Sequence, residues 1–213
     1  PSLSVGGAQM MTRAASSFAV IRQQFGMSIG DFEGIEEPLA RIVGKTMILK
    51  AARDYTCAAI DQGEKPSVIS AILKLHSTET FREIVTDTMD LMGGAGITQG
   101  PRNVTATAFK AAPIGITVEG ANILTRTLII FGQGALRCHG YAYNEVLAAE
   151  TNNVKLFDRA FFGHIYHIIR TLFSAILLTL SQGFIVPRYF SLIAPYQRRL
   201  FWASSIFALL ADI

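Results

Sequence analysis

The 213 residues predict an all-α protein, an up-down four-helix bundle followed by additional helices. Three observations carry that expectation. Apolar residues recur at helical spacing over long stretches, and strict alternation never reaches strand length. Prolines and glycines stand where helix starts, helix ends and one tight inter-helix turn need them.

Taken in order, the first helix is expected near 3–24. The second runs near 36–62, with Leu39, Ile42, Val43 and Met47 on one face and Pro38 in its first turn, where a missing N–H is tolerated. The stretch from Gln62 to Pro66 reads as the turn to an antiparallel third helix near 66–92. That helix carries Ile69, Ile72, Leu73 and His76, continued by Phe81, Ile84, Val85, Met89 and Met92. Gly93, Gly94 and Gly96 end it, and the glycine-rich loop 93–102 returns the chain. A short helix near 103–111 precedes a fourth long one near 120–137, whose stripe is Leu124, Thr127, Leu128 and Phe131. Four long helices with mostly short connections argue an up-down arrangement. Further helices are expected near 154–182 and 196–211.

Charge sets the domain boundary. Residues 1–150 carry 13 basic and 14 acidic side chains, whereas residues 151–213 carry six basic and two acidic ones. The polar stretch Thr151-Asn-Asn153 sits at the change, so a bundle over 1–150 and an extra helical region over 151–213 are expected. The net charge of +3 is too small for a nucleic-acid surface, which needs clustered cations to displace counterions. Charged residues are only 16% of the chain and apolar ones 50%, so much of the surface is expected to be covered by something. Thr171 to Pro187 holds no charge between Arg170 and Arg188, which suits a buried or partner-facing helix and leaves a peripheral membrane contact open. The chain begins at Pro1 and is read as an internal fragment with no signal-peptide pattern. Cys57 and Cys138 have no pairing pattern, so a reducing compartment is the default.

Glu119 is the most unusual acid, because no other charge lies between Pro113 and Thr125. A lone carboxylate in apolar surroundings holds its proton more tightly than in water, which suits acid–base work. The plain alternative is an acid in a first helical turn, favoured by the helix dipole. Gly120 behind it permits close approach of a ligand or backbone. Other candidates carry less. His164 and His167 are three apart but lack a third ligand, so no metal is assigned. Cys138 and His139 are adjacent and diverge on a helix. Gly93-Gly-Ala-Gly96 follows a helix rather than a strand, so the dinucleotide fingerprint does not apply.

Three segments occur in family order and spacing: Arg22-Gln-Gln-Phe-Gly26, Met89-Asp-Leu-Met-Gly-Gly-Ala-Gly96 and Val118-Glu-Gly-Ala-Asn-Ile-Leu-Thr-Arg126. Together they resemble the C-terminal helical domain of the acyl-CoA dehydrogenase family. The stretch Thr117 to Arg126, with Phe131-Gly-Gln-Gly134, is most similar to the large bacterial fatty acyl-CoA dehydrogenases of β-oxidation, which carry an extra C-terminal region. Residues 151–213 resemble the start of that region.

The resemblance implies an FAD-dependent enzyme that converts a fatty acyl-CoA to the trans-2-enoyl-CoA, with electron-transfer flavoprotein as electron acceptor. Glu119 falls on the catalytic base and Gly120 on a substrate-carbonyl contact. Arg22, Gln24 and Phe25 match positions that touch FAD, often that of a neighbouring subunit. Asp90 and Gly94 match positions near its adenine end, and Ala121 a position on the flavin. A homodimer or larger assembly follows, as does a bacterial cytoplasmic location with inner-membrane association left open. The isolated chain is expected to be inactive. The departures are Val118 for an aromatic residue, Ala121 for Thr, Ile123 for a polar residue, Asp90 for Gln and Phe32-Glu33 for His-Gln. Two other readings remain: a non-catalytic helical or membrane-associated scaffold, and an acyl-CoA oxidase of the same fold.

Overall fold

A computed structural model describes residues 1–134, 136, 139–185 and 193–211. The chain forms two compact units, Pro1–Gly132 and Gln133–Ile213.

In the first unit, α1 (Ser2–Ile21) buries Val5, Ala8, Met11, Ala15 and Ala19, a stripe spaced by three and four residues. The helix was expected to reach residue 24. It stops at Ile21 because Gln23–Gln24 (β1) and Met27–Ser28 (β2) pair as a two-stranded hairpin. The turn between them is Phe25-Gly26, both left-handed, at φ +54° and +82°. Two positive φ values in succession cannot continue a right-handed helix and match the twist of a tight hairpin. The Ser28 hydroxyl donates to the Ala19 carbonyl at 2.7 Å and tethers the hairpin to α1.

Helix α2 (Glu33–Asp61) begins earlier than expected, so Pro38 lies in its second turn rather than its first. The carbonyl left without that helical bond belongs to Gly34, which is exposed. A turn with Gly63 at φ +88° leads to α3 (Ser67–Met92), which starts after Pro66 and ends at left-handed Gly93. Helices α2 and α3 run antiparallel. Arg41 pairs with Asp87 through two 3.1 Å bonds, and Lys45 with Glu83 at 3.0 Å. Thr12 and Thr46 share a 2.9 Å hydroxyl bond between α1 and α2. Around it Met11, Ile42, Ile84 and Val85 are fully buried.

The short α4 (Gly94–Ile97) packs Gly96 against α3, where a Cβ would lie 2.8 Å from the Met89 carbonyl oxygen. The Asn103 amide donates to the carbonyls of Ala95, Gly96 and Thr98, while its Oδ1 accepts from Ala106 N at 2.9 Å. One side chain thus closes the loop and caps α5 (Thr105–Thr117), which is longer than the expected 103–111 helix.

The expected 120–137 helix is instead α6, three α-helical residues (Asn122–Leu124) continued by a π-wound segment over Thr125–Gln133. Its apolar stripe is not buried: Leu124, Leu128 and Phe131 are 48%, 59% and 77% exposed. The fourth helix packed in the bundle is α5, which lies along α3.

The second unit holds α7 (Ala142–Glu150), α8 (Val154–Leu180) and α9 (Ala194–Ala211). Helix α7 was not expected; it packs on α8, with Ala148 and Ala160 buried. The composition change at Thr151–Asn153 falls at the turn between them, where the Asn153 side chain caps α8 by accepting from Leu156 N at 3.1 Å. Helix α9 returns along α8, and Trp202 Nε1 donates to Thr179 Oγ1 at 3.0 Å. Only 6% of the most apolar 18-residue window of α8 is buried. Among the described residues α8 is long and apolar enough to cross a membrane, and α5 with α6 would pass the same test as one bent pair.

Candidate functional site

The turn 118–121 joins α5 to α6. Val118 N closes α5 on the Ile114 carbonyl at 3.0 Å, and Thr125 N opens α6 on the Ala121 carbonyl at 2.9 Å. Between them Glu119 and Gly120 are both left-handed, at φ +54° and +84°. Left-handed backbone suits Gly120, whereas at Glu119 it costs about 1–3 kcal/mol. A non-glycine residue held there is set by its surroundings.

Those surroundings come from α3. Lys74 Nζ donates to the Gly120 carbonyl at 2.7 Å and to Asn122 Oδ1 at 2.6 Å. Asn122, 4% exposed, donates from Nδ2 to Thr78 Oγ1 at 2.9 Å and to Glu79 Oε1 at 3.0 Å. The buried Thr125 hydroxyl also donates to the Gly120 carbonyl, at 3.3 Å. Lys74, Thr78, Glu79, Asn122 and Thr125 were not read from the sequence. Lys74 and Gly120 are 46 residues apart, and no local spacing links them.

Glu119 is not enclosed by its apolar sequence neighbours. It is exposed, and Val118 and Ile123 beside it are 48% and 74% exposed. Nor is it alone in space, because its charge acts on Lys74. Burial pulls the Lys74 ammonium below the usual lysine range, and the charges of Glu119 and Glu79 oppose that shift. The unfolded chain then holds this proton to higher pH than the folded one. The cost of burying the charge is therefore present below the folded value, and stability rises as pH climbs from there toward the ordinary lysine value. Glu119→Gln removes one opposing charge, so Lys74 is expected to titrate at lower pH still, read from its ¹³Cε shift across a pH series. A titration that stays put would mean that the two groups do not sense each other.

The other expected site residues gather elsewhere. Arg22, Gln24 and Phe25 occupy the hairpin after α1, all exposed, with Phe25 93% exposed and edge-on to Phe32 at 6.3 Å. Asp90 and Gly94 flank the end of α3, both exposed, and nothing lies within 4 Å of a Cβ placed on Gly94. The chain runs up α1, down α2 and up α3, so the hairpin and the Asp90–Gly94 segment share one end of the bundle. Lys74 and the Glu119 turn lie toward the other, about 24 Å away along α3 at 1.5 Å per residue. Ala121 stays with Glu119 and Gly120, and its carbonyl opens α6.

A dinucleotide flavin needs a cation for its pyrophosphate, flat apolar surface for a ring, and backbone free of Cβ for close approach. An exposed arginine, an exposed phenylalanine and an open glycine pair fit that group.

In the second unit His164 Nδ1 bonds Glu145 Oε1 at 2.8 Å. The His139 ring centroid lies 4.4 Å from that of His164 and 5.4 Å from that of His167. Among the described residues no group of three His, Cys, Asp or Glu could hold a metal ion. Cys138 lies outside the described residues.

A helical bundle that presents a carboxylate on a left-handed Glu-Gly turn at one end, and an arginine–aromatic hairpin at the other, has known relatives. The family profile "Acyl-CoA dehydrogenase, C-terminal domain" matches residues 2–131, and "Acyl-CoA dehydrogenase, C-terminal, bacterial type" matches residues 136–213. The chain belongs to the acyl-CoA dehydrogenase family. The probable acyl-CoA dehydrogenase FadE25 of Mycobacterium tuberculosis is 37% identical over 98 residues, covering 44% of this chain and 24% of that protein. The chain thus matches about a quarter of the length of this curated relative. Glutaryl-CoA dehydrogenase from Mycobacterium smegmatis superposes with a TM-score of 0.58 at 26% identity, over 64% of this chain and 34% of that one. Butyryl-CoA dehydrogenase from Megasphaera elsdenii gives 0.58 at 22% identity, over 63% of this chain and 34% of that one, and speaks for the fold alone.

Proposed function

We propose that this chain supplies the catalytic base and part of the FAD contacts of an acyl-CoA dehydrogenase that converts a fatty acyl-CoA to the trans-2-enoyl-CoA in β-oxidation. The observation that carries the reading is the fixed Glu119–Gly120 turn, a carboxylate and a glycine N–H held side by side by contacts from α3. Glu119 accepts a proton from the carbon next to the thioester carbonyl. The Gly120 N–H donates to the thioester oxygen and stabilises the negative charge that develops there. FAD, when bound, supplies the acceptor for the hydride that leaves the neighbouring carbon.

Arg22, Gln24, Phe25, Asp90 and Gly94 would hold the nucleotide part, and Ala121 would lie against the flavin. Glu119 and the nucleotide patch sit at opposite ends of one bundle. In a homodimer or larger assembly, each subunit would then give its base to one flavin and its hairpin to another. Electron-transfer flavoprotein is the proposed electron acceptor. The test is the full-length protein with a panel of acyl-CoA chain lengths and an artificial electron acceptor. Bleaching of a bound flavin and formation of enoyl-CoA are expected. Stoichiometric peroxide in air would make it an oxidase instead, and a colourless protein would end the reading.

We also propose a cytoplasmic enzyme that rests peripherally on the inner membrane through α8 and α9. The support is an apolar, little-buried α8 that carries Lys155, Arg159 and Arg170, with Arg198 and Arg199 on α9. The full-length protein is expected to float with vesicles containing anionic lipid, less so at high salt. Failure to float with either anionic or neutral vesicles would exclude this contact.

A further inference from the structure

We propose that Lys74 is the positioning residue of the Glu119–Gly120 turn, tying the Gly120 carbonyl and the Asn122 side chain that follows to α3 so that the carboxylate and the glycine N–H keep one mutual geometry. The inference rests on the reading of Glu119 as the base, and it adds a residue to that reading.

The turn cannot hold itself. Its nearest backbone bonds, Val118 N to Ile114 and Thr125 N to Ala121, close the helices on either side, and neither spans Glu119–Gly120. The Gly120 carbonyl is instead taken by two side chains, Lys74 at 2.7 Å and Thr125 at 3.3 Å. The same ammonium reaches Asn122 Oδ1 at 2.6 Å, on the far side of the turn. Asn122 is oriented by Thr78 and Glu79, which stand one and about one and a half turns beyond Lys74 on the same helix. Thr78 is itself held, since its hydroxyl donates to the Lys74 carbonyl at 2.9 Å.

Chemistry explains why a lysine does this. One ammonium has three donors, so it can hold a carbonyl and an amide oxygen at once. Charged donors make shorter and stronger bonds than neutral ones, as the 2.6 and 2.7 Å distances reflect. Thr125 belongs to α6 itself and ties the carbonyl only to its own helix. Lys74 is thus the direct link from α3 to Gly120. Its loss leaves the Gly120 carbonyl with the 3.3 Å Thr125 bond alone, which does not tie it to α3, so the ψ of Gly120 and the left-handed glutamate before it gain room to relax. A displacement of about 1 Å at a reacting group can cost on the order of 100-fold in rate.

The experiment compares Lys74→Met, Lys74→Arg and a control, Lys45→Met, in the full-length protein. Lys45 pairs with Glu83 and Asp87 on the opposite stretch of α3. Amide hydrogen exchange, read without substrate, is expected to rise at least about tenfold in a peptide over 118–125 of Lys74→Met, with α1 unchanged. It should stay slow there in Lys45→Met and in Glu119→Gln. At equal flavin content, kcat of Lys74→Met should fall about 10- to 100-fold with KM within about threefold, and Lys74→Arg should recover part of the loss. Unchanged exchange over 118–125, exchange raised equally throughout the bundle, or an arginine variant no better than methionine would each overturn the proposal. Full turnover by Glu119→Gln alongside a loosened turn in Lys74→Met would instead remove the base assignment and leave the positioning role standing.

Discussion

Glu119→Gln is expected to keep the fold and the flavin while losing nearly all turnover. The change is close to isosteric, and the side chain is exposed, so little packing depends on it. The bonds that fix the turn run to the Gly120 carbonyl and Asn122, not to the Glu119 side chain. What disappears is the group proposed to take the proton. General base catalysis contributes about 10²–10⁴-fold, and the upper end is expected where substrate closes the site to water. Acyl-CoA should still perturb the flavin spectrum without bleaching it. Bleaching within about tenfold of the parent rate would show that the proton goes elsewhere. Glu119 is exposed within this chain, so on the proposed reading its enclosure during turnover would come from substrate or from parts of the protein outside this chain.

Arg22→Ala is expected to weaken flavin retention and subunit association together. Arg22 ends α1, and its carbonyl accepts from Ile29 N at 2.9 Å, so the hairpin backbone survives loss of the side chain. Arg22 is exposed, on the same hairpin as an exposed Phe25. A charge-assisted bond to a pyrophosphate is worth about 1.5–3 kcal/mol, or roughly 10- to 150-fold in flavin affinity. On the proposed assembly, with the hairpin and the Glu119 turn at opposite ends of the bundle, the lost contact would belong to a flavin shared with a neighbour. Gel filtration should show a lower flavin-to-protein ratio and a smaller species in the same sample. An unchanged ratio would place the cofactor contact elsewhere.

The bundle was legible in part, where burial and periodicity coincide. Ile42, Leu73, Ile84 and Val85 are buried as their spacing predicted, whereas Val43, Met47, Ile69 and Ile72 on the same expected stripes are 37%, 66%, 47% and 38% exposed. The Gln62–Pro66 turn and the start of α3 were legible for a local reason, the backbone demands of proline and glycine. Three things were not. The stop of α1 depends on Phe25 accepting a left-handed conformation, which composition gives no cause to expect of a phenylalanine. The stripe on α6 has helical spacing but stays exposed, because periodicity reports amphipathicity and not which surface covers it. The residues around Glu119 were invisible for a third reason. An acid isolated along the chain gains Lys74 from 45 positions away once α5 and α6 return beside α3.

Helix α1 has a bland composition, with alanine, serine and glycine at half of its positions. Its inward positions leave no spare volume. Ala8 and Ala15 are fully buried, Ala19 nearly so, and a Cβ on Gly7 would lie 2.6 Å from the Phe81 ring. Small side chains let α1 sit close against α2 and α3, so each added methylene must be met by helices moving apart. Between α1 and α6, mutational tolerance therefore runs opposite to apparent hydrophobicity. The large apolar residues of α6 face outward and can be exchanged without disturbing the interior, whereas in α1 a change from alanine to leucine alters the spacing between helices. That spacing carries the hairpin at the end of α1, and with it the position of Arg22 relative to Asp90 and Gly94.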